Sequence, residues 1–319
     1  MKINIIGGSG FIGTNLTDAM INDWTILNLD KALSSKYDHL TVKVDICNNN
    51  EIQNNMRLAD WVILLAAEHR DDVSPISLYY KVNVEGTANV LKAMNRAGIK
   101  KIIFTSSVAV YGLNKDNPDE YQEVDPFNHY GKSKWEAEEV LRTWYREAPE
   151  ERTLIIIRPT VVFGPGNKGN VYNLLNQISS GKFLMIGDGN NKKSMAFVEN
   201  ITAFIKFCIV SDMTGYHLFN YADKPDMTTN ELVSQAEKSL DRKILRLRIP
   251  YFIGYIGGLS LDIIAKVLRM KFSISAVRIK KFCATTQFSA EKVRQSGFKA
   301  PFSLDEGLNK TILSILKRT

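Results

Sequence analysis

Two short groups of residues carry side chains with chemistry to offer. In Tyr130-Gly131-Lys132-Ser133-Lys134 the tyrosine and the second lysine stand four residues apart, which puts them on one face of a helix. A phenol is neutral near pH 7, but a neighbouring ammonium favours phenolate and makes Tyr130 a usable acid/base group. Upstream, Thr105-Ser106-Ser107 closes a strand-like run, and a hydroxyl there can reach the same substrate oxygen. The other group is Gly7-Gly8-Ser9-Gly10-Phe11-Ile12-Gly13. Its spacing lets the backbone turn tightly against a diphosphate, with the N–H groups of a following helix directed at the anion. Asp30, 23 residues after Gly7, ends the next strand-like run. A carboxylate there accepts from adenosine ribose hydroxyls and repels a 2′-phosphate, which favours NAD over NADP. Asp45 ends the third such run and is placed either to meet the adenine or to make a plain turn.

These groups need elements to position them. Lys2–Ile6, Thr25–Leu29, Thr41–Val44, Trp61–Ala66, Lys101–Thr105 and Leu154–Ile157 are nearly continuous apolar runs, the pattern of strands covered on both faces. Helical patterns lie between them, clearest at Ser77–Asn95 and Tyr130–Glu147. The alternation predicts an α/β fold with a Rossmann-type, doubly wound parallel sheet. After Arg158-Pro159 the texture becomes glycine-rich and the elements shorten. Residues 1–164, joined by part of 195–225, are therefore expected to form the dinucleotide domain, and 165–319 mainly a smaller C-terminal substrate-binding lobe.

The chain has 319 residues, 45% of them apolar and 24% charged, which is ordinary globular composition. Cys47, Cys208 and Cys283 are too few and too scattered for a disulfide framework or a zinc site and fit a reducing cytosol. The four histidines lack metal-ligand spacing, so no metal is expected. The first residues pass from a short apolar run straight into glycines, unlike a signal peptide. The net charge of +7 is compatible with nucleic acid, anionic lipid or a phosphorylated small molecule. It is not spread evenly. Residues 242–281 hold ten basic residues and one acidic residue, net +9, leaving −2 for the rest. That segment surrounds an uncharged, largely apolar run, Ile249–Leu261, which at 13 residues is too short to span a bilayer. It reads as either a buried helix or an interfacial one. Peripheral docking on an anionic membrane through 242–281 is the expectation drawn from it, in a cytoplasmic protein at the inner face of the cell membrane. No reading helix or aromatic-basic motif points to nucleic acid.

Taken together, Gly-Gly-Ser-Gly-Phe-Ile-Gly, Thr-Ser-Ser-Val-Ala-Val-Tyr-Gly and Tyr-Gly-Lys-Ser-Lys resemble the extended short-chain dehydrogenase/reductases, which include the nucleotide-sugar epimerases and dehydratases. The resemblance runs from residue 1 to about residue 310. It implies NAD as cofactor and a sugar diphosphate as substrate, and a homodimer is compatible with it. Ser107, Tyr130 and Lys134 fall on the family's catalytic positions. Gly7, Gly10, Phe11, Ile12, Asp30, Asp45, Ile46, Ala66 and Asn83 fall on its cofactor contacts, joined by Tyr130 and Lys134, and Pro159 falls near the nicotinamide. Resembling dehydratases carry Asp-Glu just after the strand-five hydroxyl, and decarboxylases of the family a glutamate. Here Val108 and Ala109 stand there, which favours epimerisation, with a 4-keto reductase as the alternative within the fold.

In the second lobe, Asn173 and Lys193 align with sugar and diphosphate contacts of galactose epimerases, and one of Arg278, Lys280 or Lys281 is expected to add a phosphate contact. Arg70, in Glu68-His69-Arg70 after the fourth strand, lies at the carboxyl edge where ligands bind. The small residues of Phe282-Cys283-Ala284-Thr285-Thr286-Gln287-Phe288 imply room for an N-acetyl group. This stretch, Ala67–Pro75 and Asn128–Trp135 resemble bacterial 4-epimerases that act on N-acetylhexosamines carried on undecaprenyl diphosphate in O-antigen synthesis. Soluble epimerases of UDP-N-acetylglucosamine share most of the same residues, so the carrier is left open between lipid and nucleotide.

Overall fold

The computed structural model describes residues 1–319 except 71–72, 114, 168, 182, 245–246, 269–274 and 318–319, together with the side chains of residues 265 and 267. Arg246, Arg269, Lys271, Asp71 and Asp72 of the sequence reading lie outside the described residues. The chain forms two compact units. The first comprises Met1–Val162, Ala196–Asp223 and Phe288–Phe302, and the second Phe163–Met195, Lys224–Gln287 and Ser303–Thr319.

The first unit is built on a seven-stranded parallel sheet. Its strands are β1 (Lys2–Ile6), β2 (Thr25–Asp30), β3 (Thr41–Lys43), β4 (Trp61–Leu64), β5 (Lys101–Thr105), β6 (Thr153–Pro159) and, after β7 (Val161–Phe163), β8 (Met185–Ile186) and β9 (Lys192–Phe197), the late strand β10 (Tyr216–Tyr221). Their order is β10-β6-β5-β4-β1-β2-β3. The continuous apolar runs are explained by two cores, one on each face. Alternation sends Leu154 and Ile156 to one cluster with Ile6, Leu64 and Phe104, and Ile155 and Ile157 to the other with Ile5, Ile63 and Phe204. Helices α1 (Phe11–Met20) and α7 (Val198–Val210) cover one face; α2 (Asn49–Asn55), α4 (Gly86–Ala97) and α5 (His129–Arg146) contribute to the other. α11 (Glu291–Gln295) also belongs to this unit.

The helix expected as one piece over 77–95 is divided into α3 (Ser77–Tyr80), a π turn over Lys81–Glu85, and α4. Asn83 explains the wider turn. Its side chain is drawn inward, where Oδ1 accepts from Glu68 N–H at 2.8 Å and Nδ2 donates to Glu68 O at 3.0 Å and Ser133 Oγ at 2.8 Å. One amide thus ties the chain leaving β4 to α5.

The second unit packs α6 (Asn170–Ser179), α8 (Thr229–Leu240) and α12 (Leu304–Leu316) on one another through Leu175, Ile178, Leu232, Val233, Leu308 and Ile312, all buried. Capping boxes at Thr228/Glu231 and Ser303/Glu306 start α8 and α12. β8 pairs with β12 (Arg248–Ile249), and α9 (Tyr251–Leu268) packs on α10 (Ala276–Cys283). The chain passes between the units within or beside β7, β9 and β11 (Asp223–Thr228).

Candidate active site

The glycine turn follows β1 and opens α1. Gly7 sits at φ +87°, and a Cβ there would stand 2.5 Å from the backbone nitrogen of Ala66, so the turn can lie against the end of β4 only as glycine. A Cβ on Gly10 would meet only the carbonyl of Gly7, at 3.4 Å, leaving its outer side open. α1 has no side-chain cap and no acidic residue in its first turn. The N–H groups of Phe11 and Ile12 therefore head a helix with no acidic residue of its own at its positive end, a donor set that fits a diphosphate. Asp30 lies beside this turn, its Oδ2 accepting from Ser9 N–H at 3.0 Å and its Oδ1 from Ala32 N–H at 2.9 Å. Each oxygen keeps further acceptor capacity, as a ribose contact requires.

Other expected cofactor positions are more occupied with the protein itself. Asp45 is exposed, and its carboxylate accepts from Cys47 N–H at 2.8 Å, which is the plain turn role. Ile46 is buried against Gly86, and its carbonyl accepts from Asn89. Asn83 is 2% exposed with its amide engaged as described. Ala66 is held by its N–H to Ile6 O at 2.9 Å, and Pro159 is buried at the end of β6.

The Tyr130 helix is started by Asn128, whose side chain accepts from Gly131 N–H at 2.8 Å. Tyr130 is the second residue of α5 and half-buried. Ser107 is half-buried too and caps the 3₁₀ turn Val108–Tyr111, its Oγ accepting from Ala109 N–H at 3.1 Å. What brings the two together is Gly131. A Cβ there would stand 2.5 Å from Ala109 O, so the first turn of α5 rests directly on the turn that Ser107 caps. Gly131→Ala is expected to cost about 1–3 kcal/mol of stability and to lower turnover by moving Tyr130 relative to Ser107. Urea unfolding alongside initial rates would show both, and an unchanged rate would discard this account of the spacing.

Lys134, one turn on, is 2% exposed, and its Nζ stands 4.1 Å from the centre of the Phe104 ring. Burial pulls its pKa down to about 7, while the Glu138 carboxylate one further turn along opposes that fall. Glu138 is fully buried, and three other groups converge on it. Arg158 Nε and Nη2 donate to it at 2.9 and 2.6 Å, Arg142 Nη2 at 2.5 Å, and Ser106 Oγ at 2.5 Å. Tyr130, Lys134, Glu138 and Arg142 thus form one i, i+4 file down α5. Its lower half clamps residues that flank Ser107 and Pro159 in the chain. Glu138, Arg158 and Ser106 were missed in the sequence. The available signal was the continuing four-residue spacing beyond Lys134.

Arg70 is exposed and paired with Glu68, Nε to Oε1 at 3.1 Å, at the carboxyl end of β4. Three expected substrate contacts lie in the second unit. Asn173 is exposed on α6, and Arg278 is exposed in the first turn of α10. Lys193 Nζ donates to Lys281 O at 2.9 Å and to Ala284 O, and burial pulls its pKa down to about 8. Its ammonium holds the last turn of α10 and the residue that follows it.

The family model described as NAD dependent epimerase/dehydratase family matches residues 3–221. The chain belongs to this family. Its likeness to one relative extends well past the matched region. That relative is the N-acetyl-alpha-D-glucosaminyl-diphospho-ditrans,octacis-undecaprenol 4-epimerase of Escherichia coli O157:H7, 57% identical over 311 residues, 98% of this chain and 94% of that one. The UDP-glucose 4-epimerase of Vibrio cholerae is 29% identical over 99% of this chain and 96% of its own length. Among solved structures, the UDP-N-acetylglucosamine 4-epimerase of Methanobrevibacter ruminantium M1 superposes with a TM-score of 0.78 at 21% identity, covering 100% of this chain and 99% of that one. It shares the fold with this epimerase/dehydratase family member.

Proposed function

We propose that the protein is an NAD-dependent 4-epimerase interconverting N-acetylglucosamine and N-acetylgalactosamine on undecaprenyl diphosphate, for O-antigen or related surface-polysaccharide synthesis. The observation that carries this reading is the 57% identity, over 98% of the chain, to a relative named for that reaction. The site supports it. Gly7, Gly10, Phe11 and Ile12 offer the diphosphate cradle and Asp30 the ribose acceptor. When bound, NAD supplies a reversible hydride acceptor at the C4 carbon of the sugar. Tyr130, as phenolate, takes the C4 hydroxyl proton and returns it after the keto sugar has turned over. Lys134 holds the phenolate form by its charge, and Ser107 hydrogen-bonds the C4 oxygen. Val108 and Ala109 occupy the turn after Ser107 and cannot move protons, so elimination of water has no acid/base pair there.

The second unit is proposed to bind the sugar diphosphate through Asn173 and Arg278, with Lys193 holding the end of α10 that carries Arg278. Arg70 is proposed to add a contact from the first unit. No helix among the described residues is long and apolar enough to cross a membrane. A lipid-linked substrate then requires peripheral association, placed here at the cytoplasmic face through 242–281. The test offers N-acetylglucosaminyl-diphospho-undecaprenol in detergent and UDP-N-acetylglucosamine to the same preparation without added NADH. Faster C4 inversion of the lipid-linked sugar is expected. Turnover of the UDP-sugar alone would replace the carrier, and a strict requirement for added NADH would replace epimerisation by reduction.

A further inference from the structure

The uncharged run Ile249–Leu261 forms much of α9, and most of the described apolar side chains of that helix are exposed. Gly254 and Gly258, one turn apart, are buried. A Cβ on the first would stand 2.6 Å from Ile186, and one on the second 2.8 Å from the backbone of Ala276. One turn later Asp262 accepts from Ala276 N–H at 3.0 Å. The packed side of α9 is therefore centred on Gly254, Gly258 and its single acidic residue, with Tyr255 and Leu261 half-buried at its edges. On the opposite side Phe252, Ile256 and Ile263 are 62%, 59% and 65% exposed, flanked by Ile253, Leu259 and Ile264, which are also exposed. A helix on a water-facing surface shows the reverse polarity. Such a contiguous apolar face marks an interaction surface.

Charge identifies what covers it. The exposed outer arc of α9 carries no acidic side chain among the described residues, since Asp262 is turned inward. Arg242, Lys243, Arg248, Lys266 and Lys280 are exposed on α9 and the segments adjoining it in sequence. Two such basic surfaces brought together in a second copy would repel each other. An anionic bilayer offers acyl chains to the stripe and phosphates to the cations. We propose that α9 lies in the plane of an anionic lipid surface, with Phe252, Ile256 and Ile263 entering the acyl boundary and the basic residues on the headgroup phosphates. This rests on the reading that the sugar is carried on a lipid.

The experiment is co-sedimentation of the full chain with phosphatidylcholine vesicles, with and without phosphatidylglycerol. Binding is expected only with the anionic lipid, and it should weaken in about 1 M salt, where the screening length is about 3 Å. Ile256→Glu with Ile263→Glu should lower the bound fraction about tenfold or more and leave the melting temperature and turnover of detergent-dispersed substrate unchanged. Arg248→Glu with Lys266→Glu should abolish the preference for anionic lipid. Wild-type protein that stays in the supernatant while turning over dispersed lipid-linked sugar would overturn the docking and spare the substrate reading. Vesicle binding with turnover of UDP-sugars alone would uphold the docking surface and remove the lipid carrier. A dimer that the double glutamate variant splits, without vesicle binding, would assign the face to a second copy and overturn the proposal.

Discussion

Tyr130→Phe is expected to lower turnover by about 10²- to 10⁴-fold while the protein stays folded and retains its dinucleotide. The substitution removes one oxygen. The hydrogen bonds that start α5 involve Asn128 Oδ1 and the carbonyl of Tyr130, which accepts from Ser133 Oγ at 2.9 Å, and both remain. Lys134 would keep its place beneath Phe104. What disappears is the group proposed to exchange a proton with the C4 hydroxyl, and a loss of that size corresponds to about 3–5 kcal/mol of barrier. The check is C4 inversion under saturating substrate, with bound cofactor measured by its absorbance after denaturation. Activity above a tenth of wild type would remove Tyr130 from the acid/base role.

Glu138→Ala should be among the strongly destabilising single changes in the first unit. One carboxylate serves Arg158, Arg142 and Ser106, and the Arg158 side chain is 2% exposed. Removing the acceptor leaves a buried guanidinium without its counter-charge, a loss of about 3–5 kcal/mol. Glu136→Ala, two residues earlier on the exposed side of α5, should stay within about 0.5 kcal/mol of wild type. Urea midpoints of the two variants decide the matter, and equal midpoints would refute the buried-pair account. Glu138→Gln keeps the shape without the charge. Because Glu138 is the charge that opposes desolvation of Lys134, the glutamine variant should move Lys134 further below its already lowered pKa of about 7. Less ammonium then faces Tyr130 at neutral pH, and turnover should fall there beyond what the loss of stability explains.

The sheet was legible because a parallel strand covered on both faces must be apolar at every position, and Lys-Ile-Asn-Ile-Ile and Trp-Val-Ile-Leu meet that demand within a few residues. The glycine turn was legible for a similar reason: Gly7 must adopt a positive φ and lie against Ala66, and few residue types can. The Glu138 cluster was not. A glutamate in a helix rich in lysine and arginine has the composition of a solvated surface, and only the tertiary contact of α5 with β6 turns it inward. The π turn at Lys81–Glu85 was equally hidden, since it comes from a side chain bonding fifteen residues back at Glu68. For α9 the length of the uncharged run was visible but its direction was not. Phe252 and Ile256 fit a buried helix as well as an interfacial one until Gly254 and Gly258 are seen to hold the packed side. Phe288–Phe302 returns to the first unit after the glycine-rich half, and no local signal in that segment announces it.

β10 has a consequence for the chain while it is being made. This strand closes one edge of the seven-stranded sheet through its pairing with β6, yet it is encoded after residues 163–195, which belong to the other unit. A nascent chain that has released Val162 presents the open N–H and C=O groups of a long, wholly buried-type strand. At about 5–20 residues per second, the ribosome leaves that edge bare for seconds before Tyr216–Tyr221 arrives. Truncation after the first six strands would make the bare edge permanent and turn the Rossmann half into a template for self-association.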